Sequence, residues 1–217
     1  MKIDMPRRRV KFVNGGFYHV YNRGLQKQII FKGKRDYSRF LETVFYYQIE
    51  NPKPKFSTYR ISKLFPIDDT KKIVEILCYC LMPNHFHLLL QQRRDNGVSE
   101  FMRRFTHSYV NYRNVKYGLQ GPVFQGIFKA VTVETDEQLL HVSRYIHLNP
   151  TVASLIEDPE LYQWSSCKSY ITNNDLPINT EEILGLFNST SDYRRFINDQ
   201  KEYAATLEIL KHSTIDE

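Results

Sequence analysis

His85-Phe86-His87 puts two imidazoles at i and i+2 inside an apolar run. On a β-strand successive side chains alternate faces, so both imidazoles share one face while Phe86 points into a core. Two adjacent neutral imidazoles make half of a divalent-metal site, and nitrogen ligands leave the ion strongly Lewis acidic toward a phosphate oxygen. Further along, Tyr145 and Asn149 stand at i and i+4 just before Pro150. On a helix that spacing stacks them on one face. A metal held by His85, His87 and the Asn149 side-chain oxygen would lie one helical turn from the Tyr145 hydroxyl, placed for a phenol to attack a polarised phosphodiester. Tyrosine, with a pKa of about 10, is a weak nucleophile. Its aryl-phosphate product carries a good leaving group, so the linkage keeps energy for rejoining. The same spacing is also compatible with two hydrogen-bonded histidines, Tyr145 packed in the core and Asn149 capping the helix end.

The elements that must position these groups are legible as patterns. Phe17–Tyr21, after Asn14-Gly15-Gly16, reads as a strand entered from a turn. Asp36 to about Glu50 carries a helical apolar stripe with Asp36 as its cap. Residues 51–72, with three prolines, read as a loop or insertion. Ile73–Leu81 and His85–Leu90 read as a hairpin turning at Met82-Pro83-Asn84. Ser99 is expected to cap a helix to about Tyr117, stopped by Gly118. Phe128–Val133 is a third strand type, and Thr135 caps a helix ending near Asn149-Pro150. Glu181–Phe187 and Tyr193–Leu210 are expected helices in an acidic remainder. The alternation predicts an α+β fold, a sheet with helices packed on it.

With 41% apolar and 25% charged residues in 217, the chain can build a core and is not a disordered one. No apolar run approaches the roughly 18 residues of a membrane span, and the basic start lacks a signal-peptide stretch. Three cysteines, an odd number, suit a reducing cytoplasm better than a disulfide scaffold. The expectation is a cytoplasmic protein with no membrane partner. The net charge of +6 conceals an asymmetry: residues 1–35 hold ten Lys/Arg against one acid, whereas residues 151–217 hold five against twelve. A basic body suits a polyanion, since phosphate neutralisation supplies sequence-independent affinity. The acidic end is expected to lie outside the nucleic-acid path.

These residues resemble a known family. Met82-Pro83-Asn84-His85-Phe86-His87-Leu88-Leu89-Leu90 resembles the metal-binding strand of the HUH single-tyrosine transposases, and Arg144-Tyr145-Ile146-His147-Leu148-Asn149-Pro150 resembles their nucleophile helix. The nearer likeness is to the REP-associated tyrosine transposases of the insertion-sequence-200-like group. Supporting blocks are Tyr18-His19-Val20-Tyr21-Asn22-Arg23-Gly24, Gly121-Pro122-Val123-Phe124-Gln125-Gly126 and Tyr162-Gln163-Trp164-Ser165-Ser166. The resemblance implies an antiparallel sheet of ferredoxin-like type with packed helices. The likeness runs over about residues 10–170 and implies a catalytic domain over 1–170, while residues 171–217 read from their charge and pattern as a small helical, acidic C-terminal extension. It further implies a Mg²⁺- or Mn²⁺-dependent transesterase acting on single-stranded, hairpin-bearing DNA. Tyr145 would form a 5′-phosphotyrosine link, with His85, His87 and Asn149 as metal ligands. Candidate DNA contacts are Arg7, Arg8, Arg9, Arg23, Arg103, Arg104 and Lys129. Ile127 departs from the arginine usual at that place in the family, and residues 51–72 are longer than the usual connection.

Other readings remain open at this level. A non-catalytic, regulatory DNA-binding protein descended from such an enzyme is one; an endonuclease that nicks and seldom rejoins is another. Cys78-x-Cys80 ahead of His85-x-His87 has a zinc-like composition, but a buried strand of small apolar residues explains the cysteines better. Monomer and homodimer, with the helix serving its own or a partner's histidines, are both compatible with the sequence.

Overall fold

The computed structural model describes residues 10–62, 70–172 and 176–199. The element order is β1 (Phe17–Arg23), α1 (Lys34–Tyr47), α2 (Phe56–Ser62), β2 (Val74–Met82), β3 (His85–Gln92), α3 (Gly97–Tyr117), β4 (Lys129–Val133) and α4 (Asp136–Val152), then α5 (Ser169–Thr172), α6 (Glu181–Leu184) and α7 (Thr190–Asn198). The four strands form one antiparallel sheet in the order β2-β3-β1-β4. That order, with α1 and α3 as crossovers, is the β-α-β-β-α-β arrangement of the ferredoxin-like fold.

Period-2 alternation sorts the strand residues between two cores. Tyr18, Val20, Ile76, Phe86, Leu88 and Leu90 face one core with α1 and α3, including Phe40, Phe101, Phe105 and Tyr109. Leu77, Cys78, Cys80, Met82 and Leu89 face the other, with Tyr145, Ile146 and Leu148 of α4. A register shift between Ile76 and Cys78 on β2 puts Leu77 and Cys78 into the same core. A bulge does this by adding one residue to the strand, which reverses the parity of everything beyond it.

Several local expectations are corrected. The 51–72 segment contains the short helix α2 rather than loop alone. Asp36 does not cap α1; Gly33 holds that position, and Asp36 turns inward as a fully buried carboxylate. It accepts hydrogen bonds from Lys32 N, the Tyr112 and Tyr117 hydroxyls and Lys116 Nζ, tying α1 to α3. Burial alone would raise its pKa, but these donors together hold it below the usual value. Asn96, not Ser99, precedes α3. Gly118 ends that helix as expected, at φ 61, where a Cβ-free residue adopts the left-handed region without penalty. Thr135 caps α4 by accepting from Gln138 N. The helix then runs through Pro150 to Val152, with Ala153 N donating to Asn149 O and Leu155 N to Pro150 O. Pro150 has no N–H to give the Ile146 carbonyl, so the last turn continues with one i→i−4 bond fewer.

Beyond α4 the chain folds back as a third layer. Tyr170, Ile183, Tyr193 and Ile197 are buried in the α4 core, so α4 is covered by the sheet on one side and by α5–α7 on the other. The expected helix Tyr193–Leu210 is described only as far as residue 199, its remainder lying outside the described residues.

Candidate active site

Strand β3 begins at His85, directly after the Pro83-Asn84 turn, and that turn is pinned from outside. Pro83 O accepts from the Ile30 and Phe31 amides, and Asn84 O from the Gly24 amide. Gly24 also sits where a Cβ would lie 2.2 Å from Gln28 O, so the chain can fold over the hairpin end only with glycine there. The two imidazoles therefore project from the start of a rigid central strand.

His85 and His87 point to the α4 side, their ring centroids 5.0 Å apart and nearly perpendicular. Tyr145 on α4 is 4% exposed and sets its ring edge-on to His87 at 5.5 Å. Asn149, one turn on, bonds the His85 side chain and donates from Nδ2 to Tyr145 O. Asn84 Oδ1 lies 2.7 Å from His85 Nδ1. The four residues selected by spacing thus converge on one face.

Two residues escaped selection. His19 on β1 brings Nε2 to 2.9 Å from His87 Nδ1, with the rings stacked at 5.1 Å, and its own ring lies 5.8 Å from Tyr145. Tyr21, paired with His87 across the β1–β3 ladder, stacks on it at 5.8 Å. The signal was present in Tyr18-His19-Val20-Tyr21, where alternation puts His19 and Tyr21 on one face. Only the strand pairing says that this face is the one His87 occupies.

The electrostatics are those of a closed, largely neutral pocket. Burial lowers His19 to about 3 and His85 to about 4, and holds His87 well below the usual value. The Arg23 cation, cross-strand from His85, adds to the depression at both His85 and His87. All three imidazoles are therefore uncharged near neutrality. Tyr21 is pushed up to about 12 by burial, with Tyr145 contributing and Arg23 opposing. His87 Nε2 is buried and has no hydrogen-bond partner among the described residues. Among those residues no group of three His, Cys, Asp or Glu side chains is arranged to hold a metal ion. Cys78 and Cys80 lie in the core under α4, and burial raises both thiols far above their usual range.

The remaining basic candidates are dispersed. Arg23 and Lys129 lie at the site's end of the sheet, Lys129 paired with Tyr21. Arg103 is exposed on α3, on the opposite face, and Arg104 is ion-paired with Glu100. Arg7, Arg8 and Arg9 lie outside the described residues. Arg144, beside the tyrosine, is neither solvated nor aimed at the histidines. It is fully buried, with its guanidinium 4.2 Å from the Phe196 ring and bonded to Phe196 O. His147 is likewise turned away, between Tyr193 Oη at 2.7 Å and Ser166 Oγ at 2.8 Å. Both anchor α4 to the C-terminal layer. Tyr109, Tyr112 and Tyr117 bond Ile30 O and Asp36 on the other face of the sheet, away from the imidazoles.

Residues 57–149 match the sequence pattern of the family described as IS200-like transposase. No curated protein matches the chain. Among solved structures it is similar to a REP-associated tyrosine transposase bound to a REP hairpin, at 15% identity and a TM-score of 0.50, covering 75% of this chain and 82% of that one. At such identity the likeness speaks for the fold. A second likeness, to tRNA(His) guanylyltransferase from Saccharomyces cerevisiae, covers 97% of this chain and 81% of that one. Its identity of 10% and TM-score of 0.33 are too low to carry an argument. The family pattern bears out the resemblance read from the motifs, and the structural match bears out the expected α+β fold. No helix among the described residues is long and apolar enough to cross a membrane.

Proposed function

We propose that this protein, whose residues 57–149 match the IS200-like transposase pattern, is a metal-dependent single-stranded DNA transesterase that cleaves and rejoins hairpin-bearing DNA through Tyr145. The observation that carries the reading is the convergence of Tyr145 from α4 on the His85/His87 face of β3, with the Tyr145 ring 5.5 Å from His87.

The residues fit a divalent ion. His87 shares its Nδ1 with His19, and donation in that direction leaves the lone pair on the buried, unpartnered Nε2. His85 is neutral for the same reason of burial, and the Asn149 amide beside it supplies an oxygen donor. His85, His87 and Asn149 would hold Mg²⁺ or Mn²⁺, oxygen- and imidazole-tolerant ions that accept an incomplete protein shell. When bound, such an ion polarises a phosphate oxygen and neutralises developing charge.

The chain's own groups then do the following. The Tyr145 oxygen attacks the scissile phosphorus, the P–O3′ bond breaks, and the departing oxygen leaves as a 3′-OH after taking a proton. A 5′-phosphotyrosine ester remains, and attack by a 3′-OH reverses the step. Arg23 and Lys129 hold backbone phosphates at the same end of the sheet. The protein layers over α4 exclude water, which favours rejoining over hydrolysis.

Incubation with hairpin-bearing single-stranded DNA and Mn²⁺ should give a covalent protein–DNA adduct in wild type and none in Tyr145→Phe. Absence of adduct in wild type, or its persistence in the variant, overturns the proposal. A non-catalytic DNA-binding protein is the second reading, favoured by the one observation that among the described residues no group of three His, Cys, Asp or Glu side chains is arranged to hold a metal ion. Calorimetric titration of wild type and His85→Ala with Mn²⁺ separates the two, since that reading expects no ion binding lost in the variant.

A further inference from the structure

Tyr145 and Asn149 occupy one stripe of α4, and Ser143 and His147 another. Two residues of a helix are about 200° of rotation apart, so these stripes lie on opposite sides of it. The second stripe is held by hydrogen bonds to two other parts of the chain. Resting on the function proposed above, we infer that His147 is a positioning residue for Tyr145: it clasps α4 to the edge of the sheet and so sets the rotation at which the Tyr145 hydroxyl meets the His85/His87 face.

The first observation is where the clasp ends. The His147 ring is fully buried, with Nε2 2.8 Å from Ser166 Oγ and Nδ1 2.7 Å from Tyr193 Oη. Ser166 is itself fixed to β2 twice. Tyr79 N donates to its Oγ at 2.9 Å, and its own N donates to Tyr79 O at 3.0 Å. The preceding residue, Ser165, bridges Cys80, which pairs across the β2–β3 ladder with His87. The clasp therefore closes one residue away from the rung that carries the imidazole beside Tyr145. Tyr145 and His87 are tied to one rigid frame, the first through the helix and the second through the ladder.

The second observation is that the clasp acts on rotation. Tyr193 Oη lies 3.3 Å from Ser143 Oγ as well as 2.7 Å from His147 Nδ1, so it pins α4 at two points one turn apart. Ile146 and Leu148 pack into the surrounding core through apolar contact alone. Apolar contact is non-directional and lets a helix roll, whereas a hydrogen bond weakens steeply off its angle. A roll of about 10° would move the Tyr145 oxygen, roughly 8 Å from the helix axis, by on the order of 1.5 Å. An error of about 1 Å in a near-attack geometry costs on the order of 100-fold in rate.

The test measures single-turnover formation of the covalent adduct at saturating hairpin-bearing single-stranded DNA with Mn²⁺, beside DNA affinity and the urea midpoint. His147→Leu should lower the rate about 100-fold and leave affinity unchanged, since a fully buried side chain does not reach DNA. His147→Gln, whose amide can stand in for Nε2 toward Ser166, should recover most of the loss. Ile183→Ala, in the same core but outside the clasp, should lower the urea midpoint and leave the rate per folded molecule unchanged. If Ile183→Ala slows the reaction as much as His147→Leu, or if Gln restores no more than Leu, His147 is core packing and the inference is overturned. Should His147→Leu not fold, Ser166→Ala decides: a slowed rate at unchanged affinity supports the clasp, and an unchanged rate overturns it. If wild type itself forms no adduct, the function proposed above falls and this inference with it.

Discussion

The two faces of the sheet are made by the same strands and have opposite characters. Toward α1 and α3, β1 and β3 present Tyr18, Val20, Phe86, Leu88 and Leu90 to a nest of aromatic rings. Toward α4 the same strands present His19, Tyr21, His85 and His87, with Leu89 deeper in. On the first face the buried Asp36 carboxylate is held by four donors. The second leaves His87 Nε2 buried without a partner among the described residues. A buried polar atom without a bond costs about 1–3 kcal/mol, and on this face that atom is the lone-pair nitrogen of the proposed metal site. One face stabilises, and the stability it supplies allows the other to hold groups that do not.

Substitutions on the two faces should therefore separate activity from stability. The largest effect is expected from Tyr145→Phe, which removes one oxygen. Covalent adduct formation should fall by on the order of 10⁴-fold or more, with the urea midpoint nearly unchanged. Phe86→Ala, one residue from both proposed ligands but on the other face, should cost about 4 kcal/mol in chemical denaturation through the cavity it leaves. Asp36→Asn should cost about 3 kcal/mol by stranding Lys116 and weakening three other bonds. Because Asp36 is held below its unfolded value of 3.8, its contribution is full above that pH and is lost as pH falls through the folded pKa. The variant should show a correspondingly flatter acid limb in stability against pH. The smallest effect is on the α4 face: His19→Leu should weaken Mn²⁺ binding about 10- to 100-fold with little loss of stability. His19→Gln, which keeps an acceptor near the His87 ring, should recover part of that affinity. If His19→Leu unfolds the protein while Mn²⁺ affinity per folded molecule is unchanged, the contrast between the faces fails.

The strands, α1, α3 and α4 were legible because each is long enough for its period to show, and Gly118 and Thr135 mark ends by chemistry that depends on few neighbours. Asp36 was misread because an acid ahead of an apolar stripe has a local use as a cap. Its actual partners, Tyr112, Tyr117 and Lys116, are far away in sequence. Pro150 as a stop was a local rule that missed by two residues: the helix runs on to an exposed Val152, and Ala153 N still bonds Asn149 O. Arg144 and His147 flank Tyr145 in the chain, yet helical rotation sends them to α7. Nothing in an isolated heptapeptide says which side of a helix will face a sheet and which a third layer.

The sequence by itself determined which atoms could do chemistry and how each sits on its own element. His-x-His on a strand and Tyr-x-x-x-Asn on a helix are statements about periods of 2 and 3.6, and periods are local. Only the tertiary structure decided that the two faces meet, that His19 stands behind His87, and that the segment after Pro150 closes over α4. Those are outcomes of strand pairing and burial, which join residues far apart in the chain and leave no periodic trace in it.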